Sequence, residues 1–251
     1  MPHVVFLNKK FSYKGKSEQI FEGAASLYSW YKTLIKGLET KPSKQLASLI
    51  NDITKDAKTD EEILKSIFYW IQDNIRYIAF EDGMAGFRPD EAENVCALRY
   101  GDCKGMANLA RVMLKYKGID ARLTWLGTSH IAYNHSLPTL SVDNHMICTV
   151  FLNDKTYFID PTEEYVALNE YAHRIQGREV LIENGDSFLL KIIPVFKAFH
   201  NSSAKSLKMR LEESSWTGTA VQSHFGESKL TRIRAYNLLE NPDNEHDITS
   251  F

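Results

Sequence analysis

Apolar residues recur three and four positions apart through the first third of the chain. Between Ser17 and Leu38, the residues Ile20, Phe21, Ala24, Leu27, Tyr28 and Tyr31 fall on one face of a helix. Lys41-Pro42-Ser43 interrupts that pattern, and Ser43 is placed to cap a second helix to about Lys55, with Leu46, Leu49, Ile50 and Ile53 inward. A third helix opens at Thr59-Asp60-Glu61-Glu62, where the Thr59 hydroxyl satisfies the amide of Glu62 and Glu62 reaches back. It runs to about Asn74 on a stripe of Ile63, Ile67, Trp70 and Ile71.

Shorter elements follow. Ile75–Phe80 reads as a strand, Glu81–Asp90 as a loop, and Glu91–Leu98 as a short helix. Cys103–Lys117 returns to helical spacing through Leu109, Val112, Met113 and Tyr116, with Gly118 as its stop. Ile119–Thr128 predicts a strand and Ser129–Ser141 an exposed polar loop. The period then becomes two: Asn144–Leu152 and Lys155–Asp160 form a hairpin turning at Asn153-Asp154, and Arg178–Ile182 with Ser187–Ile193 form a second.

Beyond Pro194, Leu207–Leu211, Ala220–His224 and Leu230–Tyr236 predict surface strands, broken at Gly218 and Gly226, before a frayed polar tail after Asn241. Helices first and a mostly antiparallel sheet afterwards make an α+β protein. The composition shift divides it into residues 1–194, a core with a helical lead-in, and residues 195–251, a β-rich segment.

Composition narrows the function classes. Thirty Lys and Arg stand against 32 Asp and Glu in 251 residues, a net charge of −2 that leaves no basic excess for nucleic acid. No apolar run approaches the roughly 20 residues of a membrane span. Met1–Phe6 lacks a charged region followed by an apolar core, so an export signal, if the parent is exported to the periplasm or envelope, lies outside this chain. Three cysteines, Cys96, Cys103 and Cys148, with no Cys-x-x-Cys pair, make neither a disulfide framework nor a zinc ribbon.

Cys103 is the informative thiol. It follows Gly101-Asp102 where loop becomes helix, so its sulfur lies over the unpaired amides of a first turn, whose partial positive charge favours a thiolate. Its own amide can also point at a developing oxyanion. Taken alone, a cysteine is most often a small buried residue. Two later residues change that weighting. His145 opens one strand of the first hairpin, and pairing about Asn153-Asp154 brings it opposite Pro161 or Thr162, beside Asp160. A carboxylate there would fix the imidazole tautomer and stabilise the imidazolium, completing a nucleophile, base and orienter. His130 and His135, five apart in a polar loop, lack metal-ligand spacing and read as solvated. Arg88 and Arg99 read as ion-pair partners of Asp90 and Glu91, and Cys96 and Cys148 as buried and inert.

Ile75-Arg76-Tyr77-Ile78, Gly86-Phe87-Arg88-Pro89, Arg99-Tyr100-Gly101-Asp102-Cys103-Lys104, Gly118-Ile119-Asp120-Ala121, Asn144-His145-Met146-Ile147 and Tyr157-Phe158-Ile159-Asp160-Pro161-Thr162 together resemble the core of bacterial transglutaminase-like proteins over about residues 60–165. The resemblance implies a papain-like fold, helices packed on a mostly antiparallel sheet, with Cys103, His145 and Asp160 as its triad. It implies acyl-enzyme chemistry on the amide bonds of a protein or peptide, hydrolysis ahead of cross-linking, with no cofactor and no metal. It points to Trp70 or Tyr77 as an aid to the oxyanion hole or the substrate, although burial preference favours core roles for both. Residues 195–251 would begin a following β-domain. Gly105 departs from the pattern, where an acidic residue is expected. A binding domain that kept the fold and lost turnover is the competing reading, set against the retention of all three side chains.

Overall fold

The computed structural model describes residues 4, 6–79 and 82–240. The predicted frayed tail, and the Phe80 and Glu81 ends of the predicted strand and loop, lie outside the described residues.

The chain opens with a hairpin, β1 (Lys10–Tyr13) and β2 (Lys16–Gln19), where helix is predicted from Ser17. Lys14 and Gly15 both take left-handed conformations, φ 48° and 75°, which gives a two-residue turn matching the twist of the flanking strands. The first helix, α1 (Ala24–Ile35), therefore starts later and buries Leu27, Tyr28, Tyr31 and Leu34. In α2 (Lys44–Ile53) the Ser43 hydroxyl accepts from the Leu46 amide, as predicted. In α3 (Asp60–Asn74) Thr59 caps Glu62, and the Glu62 carboxylate reaches one residue further back, to the amide of Lys58. Its buried stripe is Leu64, Ile67, Phe68 and Ile71; Ile63 and Trp70 sit at the margin.

A two-residue strand β3 (Arg76–Tyr77) pairs in parallel with β4 (Tyr100–Gly101), on either side of α4 (Ala92–Leu98). The pairing delivers the chain into α5 (Cys103–Tyr116), buried on every side from Cys103 to Leu114 and stopped by Gly118 at φ 80°.

The main sheet has five antiparallel strands in the order β7-β6-β5-β8-β9: β5 (Asp120–Leu126), β6 (His145–Leu152), β7 (Lys155–Ile159), β8 (Glu179–Asn184) and β9 (Ser187–Ile192). Both predicted hairpins are present, and β6–β7 has the expected register, with Leu152 opposite Lys155 and Cys148 opposite Ile159. Helix α5 packs on β5 and β6 through Leu109, Ala110, Val112 and Met113, with α2 and α3 behind it. Helix α1 covers Leu123, Trp125, Met146 and Leu181 beside the start of α5. On the far face, Ile147, Phe158, Val180 and Ile182 close a smaller cluster with Ile175 and Ile193.

After Pro194 the ten-residue strands β10 (Ser203–Glu212) and β11 (Ser215–His224) form a separate hairpin, and the chain ends in α6 (Glu227–Glu240). Leu230–Tyr236 is thus helix, not strand: Leu230, Ile233 and Tyr236 recur every third residue, and Leu230 is buried. Gly218 lies inside β11 instead of breaking it, where a Cβ would collide with the Lys208 carbonyl. No described helix is long and apolar enough to cross a membrane.

Candidate active site

Cys103 is the first residue of α5, 8% exposed, on the wall of a cleft of about 310 Å³. The Asp102 carboxylate caps this helix by accepting from the Gly105 amide at 2.8 Å, and its other oxygen pairs with the Lys104 ammonium. A cap of this kind stabilises a helix by about 1 kcal/mol, and here it fixes the turn that carries the sulfur. Both charges of that pair are nearly buried, so Lys104 is spent on Asp102.

Two glycines let α4 close on this turn. A Cβ at Gly105 would come within 2.9 Å of Val95 Cγ2, and one at Gly101 within 3.0 Å of Val95 Cγ1. The acidic side chain expected after Lys104 therefore has no room. The packing of Val95 explains the departure at Gly105.

His145 begins β6, and its Nε2 lies 2.7 Å from Asp160 Oδ2, one residue beyond the end of β7. The two side chains are 3% and 4% exposed. Cys103 and His145 line the same cleft, and the thiol is close enough to contribute to the electrostatics of the imidazole, whose Nδ1 is not engaged by Asp160. Burial disfavours the charged ring, but the Asp160 charge and hydrogen bond, with the contact to Cys103, outweigh it and raise His145 to about 9. Burial likewise works against the Asp160 carboxylate. The His145 and Arg174 charges and the Thr162 hydroxyl reverse that and hold it down to about 2. The motif Asp160-Pro161-Thr162 thus has a local reason: Oδ1 accepts from both the amide and the hydroxyl of Thr162, at 3.2 and 2.7 Å.

The structure brings Cys103, His145 and Asp160 into one place, and adds Arg174. Its Nη2 donates to Asp160 Oδ2 at 2.9 Å and to Thr162 Oγ1 at 2.9 Å, while Nε donates to Glu163 at 2.6 Å. Nη2 also lies 3.2 Å from His145 Nε2, two donors aimed at one carboxylate oxygen. Nothing in the sequence around Arg174 signals this, because the residue sits in an irregular segment far from either hairpin turn.

Tyr77 lines the cleft, together with Tyr31, Phe87, Trp125, Leu140, Asp143, Asn144 and Met146. Trp70 is not among the lining residues; its ring lies under the Arg99 guanidinium at 4.8 Å. Arg88 pairs with Glu91 at 3.7 Å. Cys148 is fully buried, which pushes its thiol up to about 12, and burial also raises half-buried Cys96. The loop predicted as exposed is only partly so. His130 is exposed, but His135 is 3% exposed and hydrogen-bonded to Asp143 and Glu179.

These features define a papain-like core: a cysteine at a buried helix start facing a histidine and a carboxylate on an antiparallel sheet. Residues 47–161 match the family model of the transglutaminase-like superfamily, and that stretch is a transglutaminase-like core. A solved structure from Parabacteroides distasonis ATCC 8503, described as a putative protease, shares the fold with a TM-score of 0.54 at 12% identity, over 85% of this chain and 43% of that one. Two others align less extensively. A putative cysteine protease from Cytophaga hutchinsonii gives a TM-score of 0.40 at 16% identity, over 53% of this chain and 42% of its own. A TGase gives 0.36 at 13%, over 62% and 41%. This chain spans less than half the length of each of these proteins. A search of curated proteins gave no match.

Proposed function

We propose that this chain is a cysteine peptidase or amidase that cleaves protein or peptide amide bonds through an acyl-enzyme on Cys103. The observation that carries the reading is the buried 2.7 Å His145–Asp160 contact on the wall of an open cleft that Cys103, at the start of α5, also lines. Asp160 holds the proton on Nε2, so Nδ1 is the nitrogen that exchanges a proton with the reacting groups.

In the first half-reaction the Cys103 thiol gives its proton to His145 Nδ1 and the resulting thiolate adds to the amide carbon, while the Cys103 amide, unpaired at a helix start, donates to the oxyanion. Tyr77, on the same cleft, is the candidate second group at that oxygen. The proton on His145 Nδ1 passes to the leaving nitrogen as the C–N bond breaks, and a thioester remains. In the second, Nδ1 takes a proton from water, the hydroxide oxygen adds to the thioester carbon, and sulfur leaves as thiolate beside the recharged imidazolium. A carboxylic acid and an amine are the products. Arg174 keeps Asp160 charged and fixes its orientation.

An amine in place of water would make the same thioester yield a cross-link. Residues 1–194 supply every side chain in this scheme, and residues 195–251 are assigned to an accessory segment joined to the core. Helix α6 contacts the core there through Lys229–Glu170 and Arg234–Glu163.

The test is incubation with a library of glutamine-bearing peptides, with and without a primary amine, read by mass spectrometry against Cys103→Ala. Cleavage products, or a one-dalton deamidation shift, that vanish in the variant support hydrolysis. Amine adducts would make transfer the reaction. No mass change with either would leave a peptide-binding domain.

A further inference from the structure

Beside the cleft lies a buried charged cluster that the acyl chemistry does not use. His135 Nε2 is 3.0 Å from Asp143 Oδ1 and 3.2 Å from Oδ2, while Nδ1 is 3.0 Å from Glu179 Oε1. The His135 backbone amide donates to the same Glu179 oxygen at 3.0 Å. The Tyr31 hydroxyl donates to Asp143 Oδ2 at 2.6 Å, with its ring stacked on Trp125 at 4.8 Å. Burial and the Asp143 charge raise the Tyr31 phenol, so it stays the donor.

Both ring nitrogens of His135 face carboxylate oxygens. Two carboxylates can both accept only if both nitrogens carry protons, and between an imidazole and a carboxylate the proton rests on the imidazole, the stronger base. Such a ring has no lone pair left to act as a base or to bind a metal.

What the cluster does hold is a wall of the cleft. Residues 128–144 leave β5 and return to β6, and they contribute Leu140, Asp143 and Asn144 to the lining. The neck is tied where Asn144 accepts from the Thr128 amide at 2.9 Å and donates to its hydroxyl at 3.1 Å. Between the neck contacts, the middle of the segment is held by His135 and by the Arg178 guanidinium on the carbonyls of Gly127 and Tyr133. His145 is placed separately, by the ladder of β6 with β5 and by its own bond to Asp160.

We infer that His135, as an imidazolium bridging Asp143 and Glu179, is a positioning residue that fastens this wall to the sheet and sets how tightly the cleft holds a peptide, not how fast the bond is cleaved. The inference rests on the peptidase reading for its kinetic consequence. The charged and titratable groups around the ring are Asp143 ahead of β6, Glu179 at the start of β8, Tyr31 of α1 through Asp143, and Arg178 beside Glu179. Burial alone would discharge His135. The hydrogen bonds and charges of Asp143 and Glu179 win, so its pKa is raised. The clasp is therefore intact at low pH and is lost as pH rises through that raised value.

The test combines nitrogen-15 histidine NMR, amide hydrogen exchange and kinetics on the whole chain. Both His135 ring nitrogens should be protonated at pH 6, in a ring assigned by its loss in His135→Gln. His135→Gln, which can donate to only one carboxylate, should raise KM about ten-fold with kcat within about two-fold, and should speed exchange across residues 131–143. Glu179→Gln keeps an acceptor but removes a charge. It should leave KM at pH 6 within about two-fold and move the alkaline rise in KM to lower pH, which a purely structural contact would not do. If His135→Gln does not fold, Glu179→Gln decides the matter alone. An unprotonated ring nitrogen at pH 6, a fall in kcat at constant KM, or an unmoved pH profile in Glu179→Gln would overturn the inference. Should the wild type turn over no peptide, the peptidase reading fails separately; NMR and exchange still judge the clasp, and unchanged exchange in His135→Gln would reject it.

Discussion

Two buried histidines stand ten residues apart in sequence, His135 and His145, 3% and 6% exposed, each against an aspartate. Both have a raised pKa for the same reason, neighbouring carboxylates outweighing burial. They differ in the partner of the second nitrogen. For His135 it is another carboxylate, Glu179, and the proton has nowhere to go. For His145 the second nitrogen has no carboxylate, and the ring shares its cleft wall with the Cys103 thiol. Burial and charge pairing set the energy of an imidazolium, but the identity of its last neighbour decides whether it is a fastener or a reagent. Cys103 and Cys148 make the same point: both are buried, yet only Cys103 lies at a helix start facing an imidazole.

The sharpest way to break the contrast is to remove the reactive neighbour. Cys103→Ala should reduce peptide cleavage by about 10³-fold or more, measured by product mass, with an unchanged circular dichroism spectrum. Next in size, Asp160→Asn should lower kcat/KM about 10²–10⁴-fold by releasing the tautomer. It should also move the alkaline limb of the pH profile downward, because the charge that raises His145 is gone.

Stability should respond too, with signs fixed by the same pair. The Asp160 contribution is complete above the ordinary carboxylate range and is lost as pH falls toward about 2; the His145 contribution is complete below the ordinary imidazole range and is lost as pH rises through about 9. Urea midpoints of the wild type should fall at both extremes, and Asp160→Asn should flatten both slopes.

Smaller effects should follow from the supports. Arg174→Met should cost about ten-fold in kcat/KM, since Asp160 keeps His145 and Thr162 but loses its cation. Gly105→Ala should destabilise the fold by about 1–3 kcal/mol, read from the urea midpoint, because Val95 must move. A larger acidic side chain at that position should cost more.

How much of this was legible in sequence follows from which residues interact locally. The β6–β7 register could be read because a two-residue Asn153-Asp154 turn and strict alternation leave one pairing. That register alone brings Asp160 near His145. Capping at Ser43 and the helix start at Cys103 are equally local. The clasp was not legible: His135, Asp143 and Glu179 meet only after β8 is laid beside β5, and a polar loop carries no periodic trace of such a meeting. Arg174 was hidden for the same reason.

The strands β1 and β2 are short and fully exposed, so no burial pattern marked them. Only the Lys14-Gly15 turn did. In α6 the three-residue recurrence of Leu230, Ile233 and Tyr236 was the available signal, set in a segment whose surroundings read as strand.

The most direct measurement is competitive alkylation by iodoacetamide from pH 5 to 10, with each cysteine followed by mass spectrometry. Near pH 6 Cys103 should be modified well before Cys96 and Cys148, and His145→Ala should abolish that preference. Slow, equal labelling of all three thiols in the wild type would contradict the pairing of sulfur with imidazolium on which the enzyme reading depends.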